Sequence, residues 1–136
     1  MIRDITSALW QFWQQFQMDG VTIAAYQTGT VPDAAAFPYI TFEAPRADAF
    51  GTMPLAAHAW FRFASTEGPA AAIAQRIAFW EAVEQAIPHG GVMLPLSVGF
   101  LMIRRGSGDF LYAGVDEEDK SVLYGRVGYE VTYYTE

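Results

Sequence analysis

Apolar residues recur at helical spacing in two stretches of the chain, and each stretch predicts an amphipathic helix. In the first, from Asp4 to Met18, one apolar stripe opposes a face filled by uncharged glutamines. The second stretch runs from Gly68 to Ile87, with Pro69 in the first turn, where proline is favoured. The stripe expected to be buried in this second helix consists of Ile73, Ile77, Trp80, Val83 and Ile87.

Short β-rich or alternating runs predict the strands. Before the second helix these are Val21 to Tyr26, Pro38 to Phe42 and Ala57 to Ser65. After it they are Val92 to Leu96, Gly99 to Arg104, Phe110 to Ala113 and Val122 to Thr135. The last strand is expected to carry on one face Leu123, Val127, Tyr129, Val131 and Tyr133. Between two of these runs, Gly106-Ser107-Gly108 predicts a hairpin turn, and Ala44 to Leu55 is expected to form a long loop or an irregular hairpin tip.

The order of these elements predicts the fold class. Helices separated by several strands, rather than alternating with single strands, favour an antiparallel sheet with two helices packed on one face. The expected class is therefore α+β, with the order α-β-β-β-α-β-β-β. The length of 136 residues fits one domain, spanning residues 1–136.

Composition and charge narrow the function. Hydrophobic residues make up 52% of the chain and charged residues 17%, against a usual charged share of about 25%. The surplus of apolar residues is explained either by a dense core or by a surface that another subunit covers. A net charge of −7 argues against a nucleic-acid partner, because phosphates are bound by clustered Lys and Arg. The sequence has no stretch of about 20 apolar residues and no signal-peptide pattern, so we expect no membrane partner and synthesis in the cytosol.

The candidate chemical groups each lack a second group of the right kind. There are no cysteines, and neither His58 nor His89 stands at metal-ligand spacing from another ligand. The acidic run Asp116 to Asp119 lacks the central glycine and closing glutamate of a calcium loop, and predicts a solvated turn or a contact with Arg104 and Arg105 of a neighbouring subunit. We therefore expect no catalytic residue, no cofactor and no metal.

Several segments together resemble a known family. They are the N-terminal amphipathic helix, the strand Phe37-Pro38-Tyr39-Ile40-Thr41-Phe42, the central helix, and the terminal strand Tyr129-Glu130-Val131-Thr132-Tyr133-Tyr134. In order and length they resemble the tail-terminator and tail-completion (head-tail joining) proteins of long-tailed phages and prophages. The resemblance implies a non-enzymatic virion subunit that forms a hexameric ring and contacts tail-tube and head-connector proteins. It implies assembly in the bacterial cytoplasm and a final place at the head-tail junction.

Seven residues are the candidates for an interface between subunits. Trp10 lies off the apolar stripe of the first helix, and the Ala44–Leu55 segment is a candidate extension toward a neighbour. The full set is Trp10, Phe50, Met53, Arg104, Arg105, Glu117 and Glu118.

Two other interpretations stay open. One is a small ligand-binding or enzymatic α+β domain that works as a dimer, with an apolar pocket lined by Trp13, Trp60 and Trp80. The other is a dimeric interaction module without a ligand.

Overall fold

The structure, a computed structural model, describes residues 2–18, 20–45, 51–62, 68–106, 108, 110–119 and 121–134. The first half of the chain forms α1 (Ile2–Gln14), β1 (Gln17–Met18), β2 (Val21–Thr22), β3 (Ala24–Gln27), β4 (Tyr39–Phe42) and β5 (Thr52–Arg62). The second half forms α2 (Gly68–Ala86), β6 (Val92–Pro95), β7 (Phe100–Arg105), β8 (Leu111–Val115) and β9 (Val122–Tyr134).

The main sheet is curled and mixed. Its strand order is β3-β4-β5-β9-β7-β6, and β8 also pairs with β9. Every neighbouring pair is antiparallel except β3 and β4, which run parallel because the loop over residues 28–38 carries the chain back before β4 begins. The two helices and the sheet are consistent with the α+β class. The predicted element order α-β-β-β-α-β-β-β is not confirmed, because in the described structure five strands lie between the helices and four follow α2. The sheet is also not wholly antiparallel. Within the described residues, the short strands β1 and β2 form a separate two-stranded sheet.

The long strands β5 and β9 form the centre of the sheet. Their ladder runs from the pair Thr52 and Thr132 to the pair Arg62 and Val122. Strand β5 thus starts within the segment that the sequence assigned to a loop; residues 46–50 of that segment lie outside the described part. Glu43 N donates to Ala56 O, so the backbone groups of Ala56 point away from β9. Pro54 lies two residues earlier and points the same way, so its missing N–H removes no hydrogen bond to β9.

One face of the sheet supplies the core. The predicted inner face of β9 is confirmed, since Leu123, Val127, Tyr129 and Val131 are buried and Tyr133 is half-buried. From β5 and the helices the core adds Met53, Leu55, Ala57, Ala59, Phe61, Ile5, Leu9, Trp13, Phe79, Val83 and Ile87. At its centre Trp13 Nε1 donates to the Tyr129 hydroxyl (3.3 Å), and burial raises the pKa of that phenol.

The buried stripe predicted for α2 is partly wrong. Val83 and Ile87 are buried together with Phe79, whose ring occupies the space beside Gly125 on β9. The other members of the predicted stripe, Ile73, Ile77 and Trp80, are exposed. The helix carries two apolar stripes, and the stripe that packs is the one whose aromatic ring fits over a strand residue without a side chain.

The hairpin predicted around residues 106–108 is also wrong. Strands β7 and β8 do not pair with each other but lie end to end along the same edge of β9. Gly106 N donates to Gly128 O, and Gly128 N donates to Phe110 O. A single β9 residue, Gly128, therefore bonds to both ends of the segment that connects β7 to β8, as in a β-bulge. Ser107 lies outside the described residues. The β9 edge is long enough to hold both strands, which makes a turn between them unnecessary.

The structure gives one result on membranes. Among the described residues, neither helix is long and apolar enough to cross a bilayer.

Candidate functional site: the apolar surface beside β8

The exposed stripe of α2 places three large apolar side chains on one face of the helix. Ile73, Ile77 and Trp80 recur at helical spacing and are 59%, 53% and 41% exposed. Large apolar side chains are common singly on protein surfaces, but a contiguous row of them marks a place where another molecule binds. The row is therefore the first component of the candidate site.

The contacts of neighbouring helix positions show which way this stripe faces. Glu84 continues the same helical face, and its carboxylate accepts a hydrogen bond from Arg105 of β7 (2.7 Å). On the opposite side of the helix, Ala82 and Ala86 line a groove of about 230 Å³ against α1. The stripe of Ile73, Ile77 and Trp80 therefore faces the side of the sheet where β7 meets β8.

Arg105 fixes the C-terminal end of α2 at this place. Its Nε donates to Ile87 O (2.7 Å) and its Nη2 donates to Glu84 O (3.1 Å), so it satisfies carbonyls that have no partner within the helix. The guanidinium also lies over the Phe110 ring, 4.3 Å from its centroid. Helix α2 is thus held against the junction of β7 and β8.

Strand β8 is the second component of the site. Both Asp116 N and Phe110 O bond to β9, and bonded positions alternate along an antiparallel ladder. The N–H and C=O groups of Leu111, Ala113 and Val115 therefore point away from β9. No strand among the described residues pairs with that edge, and none of the described hydrogen bonds reaches these six groups.

The face of the sheet opposite the core carries a second, separate feature. His58, Trp60 and Tyr124 form an aromatic cluster with ring centroids 5.4–5.8 Å apart, and the acidic loop after β8 closes one side of an open basin of about 470 Å³. Trp60 Nε1 donates to Thr41 Oγ1 (3.1 Å), which fixes the indole. Partial burial and then the nearby Arg126 guanidinium lower the pKa of His58 below its ordinary value.

The basin offers binding surfaces more readily than reaction chemistry. No described side chain hydrogen-bonds to His58, so nothing in the described structure pairs it with a nucleophile or an orienting carboxylate. The described His, Asp and Glu residues form no group of three that could hold a metal ion. In the acidic loop, hydrogen bonds from Ser121 and then the Arg62 guanidinium lower the pKa of Asp119.

The seven predicted interface residues occupy different environments. Trp10 is 50% exposed, Arg104, Glu117 and Glu118 are exposed, and Arg105 is engaged with α2. Met53 is buried in the core, and Phe50 lies outside the described residues. Glu117 and Glu118 follow directly after β8, whereas Arg104 and Arg105 precede its other end.

The structure does not bring together the three residues of the alternative pocket. Trp13 is in the core, Trp60 is on the opposite face of the sheet, and Trp80 is on the outer side of α2. Sequence reasoning missed the open edge of β8 entirely. It assigned Ile73 and Ile77 to the core, although the doubled apolar pattern of α2 was the available signal for an exposed stripe.

Comparison with models of known protein families gave no match, and comparison with curated protein sequences gave none either. The surface formed by α2 and β8 is therefore the feature of the described structure that bears on function.

Proposed function

We propose that this protein is a non-enzymatic structural subunit that works by self-association. The observation that carries the proposal is the exposed row of Ile73, Ile77 and Trp80 on α2. Covering such side chains removes apolar surface from water, and tryptophan is among the residues most enriched at the energetic centres of interfaces. The uncharged edge of β8 beside this row adds backbone groups that a second chain can bond.

The proposed setting is the tail of a phage or prophage. It is supported by four segments that resemble tail-terminator and tail-completion proteins in order and length: the N-terminal helix, the Phe37-Pro38-Tyr39-Ile40-Thr41-Phe42 segment, the central helix and the terminal strand. In that setting the subunits form a ring, hexameric in the family, at the junction between tail tube and head connector. Assembly takes place in the bacterial cytoplasm, and the virion is the final location. A ring requires each subunit to present a surface that its neighbours cover.

Measurement of mass in solution tests self-association. Sedimentation velocity and native mass spectrometry over a range of concentrations should detect species larger than one chain. The double variant Ile77→Lys, Trp80→Lys should shift the distribution toward the single chain, because two charges would have to be buried at the contact. Glu81→Lys, an exposed change on the same helix outside the row, is the matched control. A wild-type protein that stays a single chain at every concentration, alone and with purified tail tubes, would contradict the proposal.

A second candidate function is the binding of a small, flat ligand in the basin beside His58. It is favoured by the half-buried rings of Trp60 and Tyr124, which line the basin, and by the exposed Arg126 at the same place. Aromatic faces and a guanidinium bind planar or anionic groups. Screening of planar carboxylates by tryptophan fluorescence, with Trp60→Leu as the silent control, separates this function from self-association.

A further inference from the structure

The edges of the main sheet differ in what they offer to another chain. On β6, Leu96 N donates to Gly99 O, and the residues that bond to β7 alternate along the strand. The backbone groups of Met93 and Pro95 therefore point away from β7. Proline has no N–H to donate to a further strand. On β3, the outward carbonyls of Ala25 and Gln27 already accept hydrogen bonds from within the chain. On β8, by contrast, the three alternate residues Leu111, Ala113 and Val115 turn their backbone outward. Each of them has an N–H that can donate a hydrogen bond and a C=O that can accept one.

The position of α2 makes this edge a groove rather than a bare strand. Phe79 stands over Gly125, which pairs with Ala113 of β8, so α2 passes above this part of the sheet. The row of Ile73, Ile77 and Trp80 projects from α2 on the β8 side. A strand added beside β8 would direct alternate side chains toward this row. Addition of a strand at an edge under a helix combines main-chain bonding with side-chain burial.

We propose that the occupant of this groove is β8 of a second copy, paired antiparallel about a two-fold axis at Ala113. This inference rests on the proposed self-association and names its contact. The outward residues Leu111, Ala113 and Val115 are uncharged and none is proline, so the strand is able to bond to itself. In this register Leu111 of each copy faces Val115 of the other.

Charge supports the antiparallel arrangement. The acidic loop with Glu117 and Glu118 follows one end of β8, and Phe110 with the overlying Arg105 guanidinium precedes the other end. An antiparallel pair places each acidic loop at the Phe110 end of the other copy, close to its exposed Arg104. A parallel pair would bring the two acidic loops together, and like charges side by side repel.

The two-fold contact is complete with two subunits. An isologous contact cannot by itself close a larger ring, so a ring built from these pairs needs a second contact between them. The two-fold contact can therefore be tested separately from the ring.

Single-cysteine variants test the register, because the chain has no cysteine of its own. The Cα atoms of directly opposed antiparallel residues lie about 5.5 Å apart, within the range that a disulfide spans. Mild oxidation of Ala113→Cys should give a covalent dimer. Leu111→Cys and Val115→Cys should cross-link poorly alone and well when mixed. Ala34→Cys, in the exposed loop before β4, is the control for random collision.

A second measurement tests the bonding edge without cross-linking. Ala113→Pro removes an outward N–H that β9 does not use, so β8 should stay paired with β9 while the dimer dissociates about tenfold more readily. Circular dichroism checks the fold. If Ala113→Pro unfolds the protein, substitutions at Glu117 and Arg104 test the contact instead. Glu117→Lys should weaken the dimer. Adding Arg104→Glu to that variant should restore part of the affinity, because the two charges then attract again.

The outcomes separate the two proposals. A wild-type oligomer that is indifferent to all these changes and forms no disulfide through Ala113→Cys would overturn the β8 contact and leave self-association standing. Cross-linking at Ala113→Cys with equal yield at Ala34→Cys would also overturn it. A wild-type protein that remains a single chain throughout would overturn both.

Discussion

The two edge strands β3 and β8 belong to one sheet, yet their outward backbone groups are treated in opposite ways. Beside β3, Gln14 Nε2 donates to Ala25 O (2.9 Å), and Thr30 donates to Gln27 O through both its amide (3.0 Å) and its hydroxyl (2.7 Å). Just before β3, Ile23 N donates to Phe16 O (3.0 Å). Among the described residues, no hydrogen bond caps the outward groups of β8 in this way. An uncapped edge is a template for another strand, and this sheet retains one.

The difference follows from the helix that lies beside each edge. Helix α1 is rich in glutamine on its outer side, and Gln14 is placed to reach the β3 backbone. Helix α2 presents Ile77 and Trp80 beside β8. Ile77 has no hydrogen-bonding group, and none of the described hydrogen bonds joins the indole N–H of Trp80 to a carbonyl of β8. The β3 edge is thus capped by polar side chains of its own chain. The β8 edge is bordered by apolar side chains, whose exposure to water is unfavourable.

Neighbouring residues of α2 separate its fold-forming side from its exposed side. Phe79→Ala should lower the free energy of unfolding by about 3–5 kcal/mol, because a fully buried ring is lost. Trp80→Ala should lower it by less than about 1 kcal/mol, since the indole is partly in water. Urea unfolding at a concentration where the protein is a single chain measures both. Equal losses would show that the two faces of α2 are not distinct.

Gly125 tests how closely α2 sits above the β8 side of the sheet. A Cβ at this position would overlap the Phe79 ring, so Gly125→Ala should cost about 1–3 kcal/mol as the helix is pushed away. The same change at Gly90, where a Cβ meets no atom within 4 Å, is the control. If the smaller Phe79→Leu side chain fails to recover part of the loss in the double variant, the cause is not this contact.

The cap on β3 can be removed with one substitution. Gln14→Ala leaves Ala25 O without its partner and should cost about 0.5–1.5 kcal/mol. It should also increase self-association, because a second edge of the sheet becomes available. Gln15→Ala, at the next and exposed position, should change neither quantity. An unchanged oligomer distribution in Gln14→Ala would mean that this glutamine does not guard the edge.

The basin on the other face of the sheet should respond to pH with the smallest effect. Because burial and Arg126 lower the pKa of His58, the unfolded chain binds a proton more readily than the folded protein does. The free energy of unfolding should therefore decrease as the pH falls below about 6.5, the ordinary pKa of histidine. His58→Gln should reduce this slope. Urea titrations at several values from about pH 7.5 to about pH 5.5 give the comparison.

The buried face of an element could be predicted from the sequence where its apolar residues follow one regular spacing. Strand β9 alternates strictly, so its buried set followed from Leu123 to Val131 without knowledge of its neighbours. Helix α1 has one apolar stripe and one polar side, so its buried face was also evident. Its end was placed too late: the helix ends at Gln14, and Gln17–Met18 pairs with β2 instead.

The features that failed depend on partners distant in sequence. Both stripes of α2 have helical spacing, and only the absence of a side chain at Gly125 decides that Phe79 packs. The end-to-end arrangement of β7 and β8 depends on the length of β9, which no local turn signal around Gly106 reveals. The edge of β8 is open because no strand in the described structure pairs with it. The alternation of residues along β8 does not indicate whether another strand lies beside it.

The cap at Gln14 has a consequence for the size of any assembly. A sheet open at both edges would add copies without limit and lead to fibres. With the outward β3 carbonyls capped and an outward proline on β6, β8 is the edge in the described structure that keeps all its outward groups available, and pairing through β8 uses them up. Gln14, Thr30 and Pro95 together would then stop growth along the sheet, and would confine this mode of association to pairs however concentrated the protein becomes.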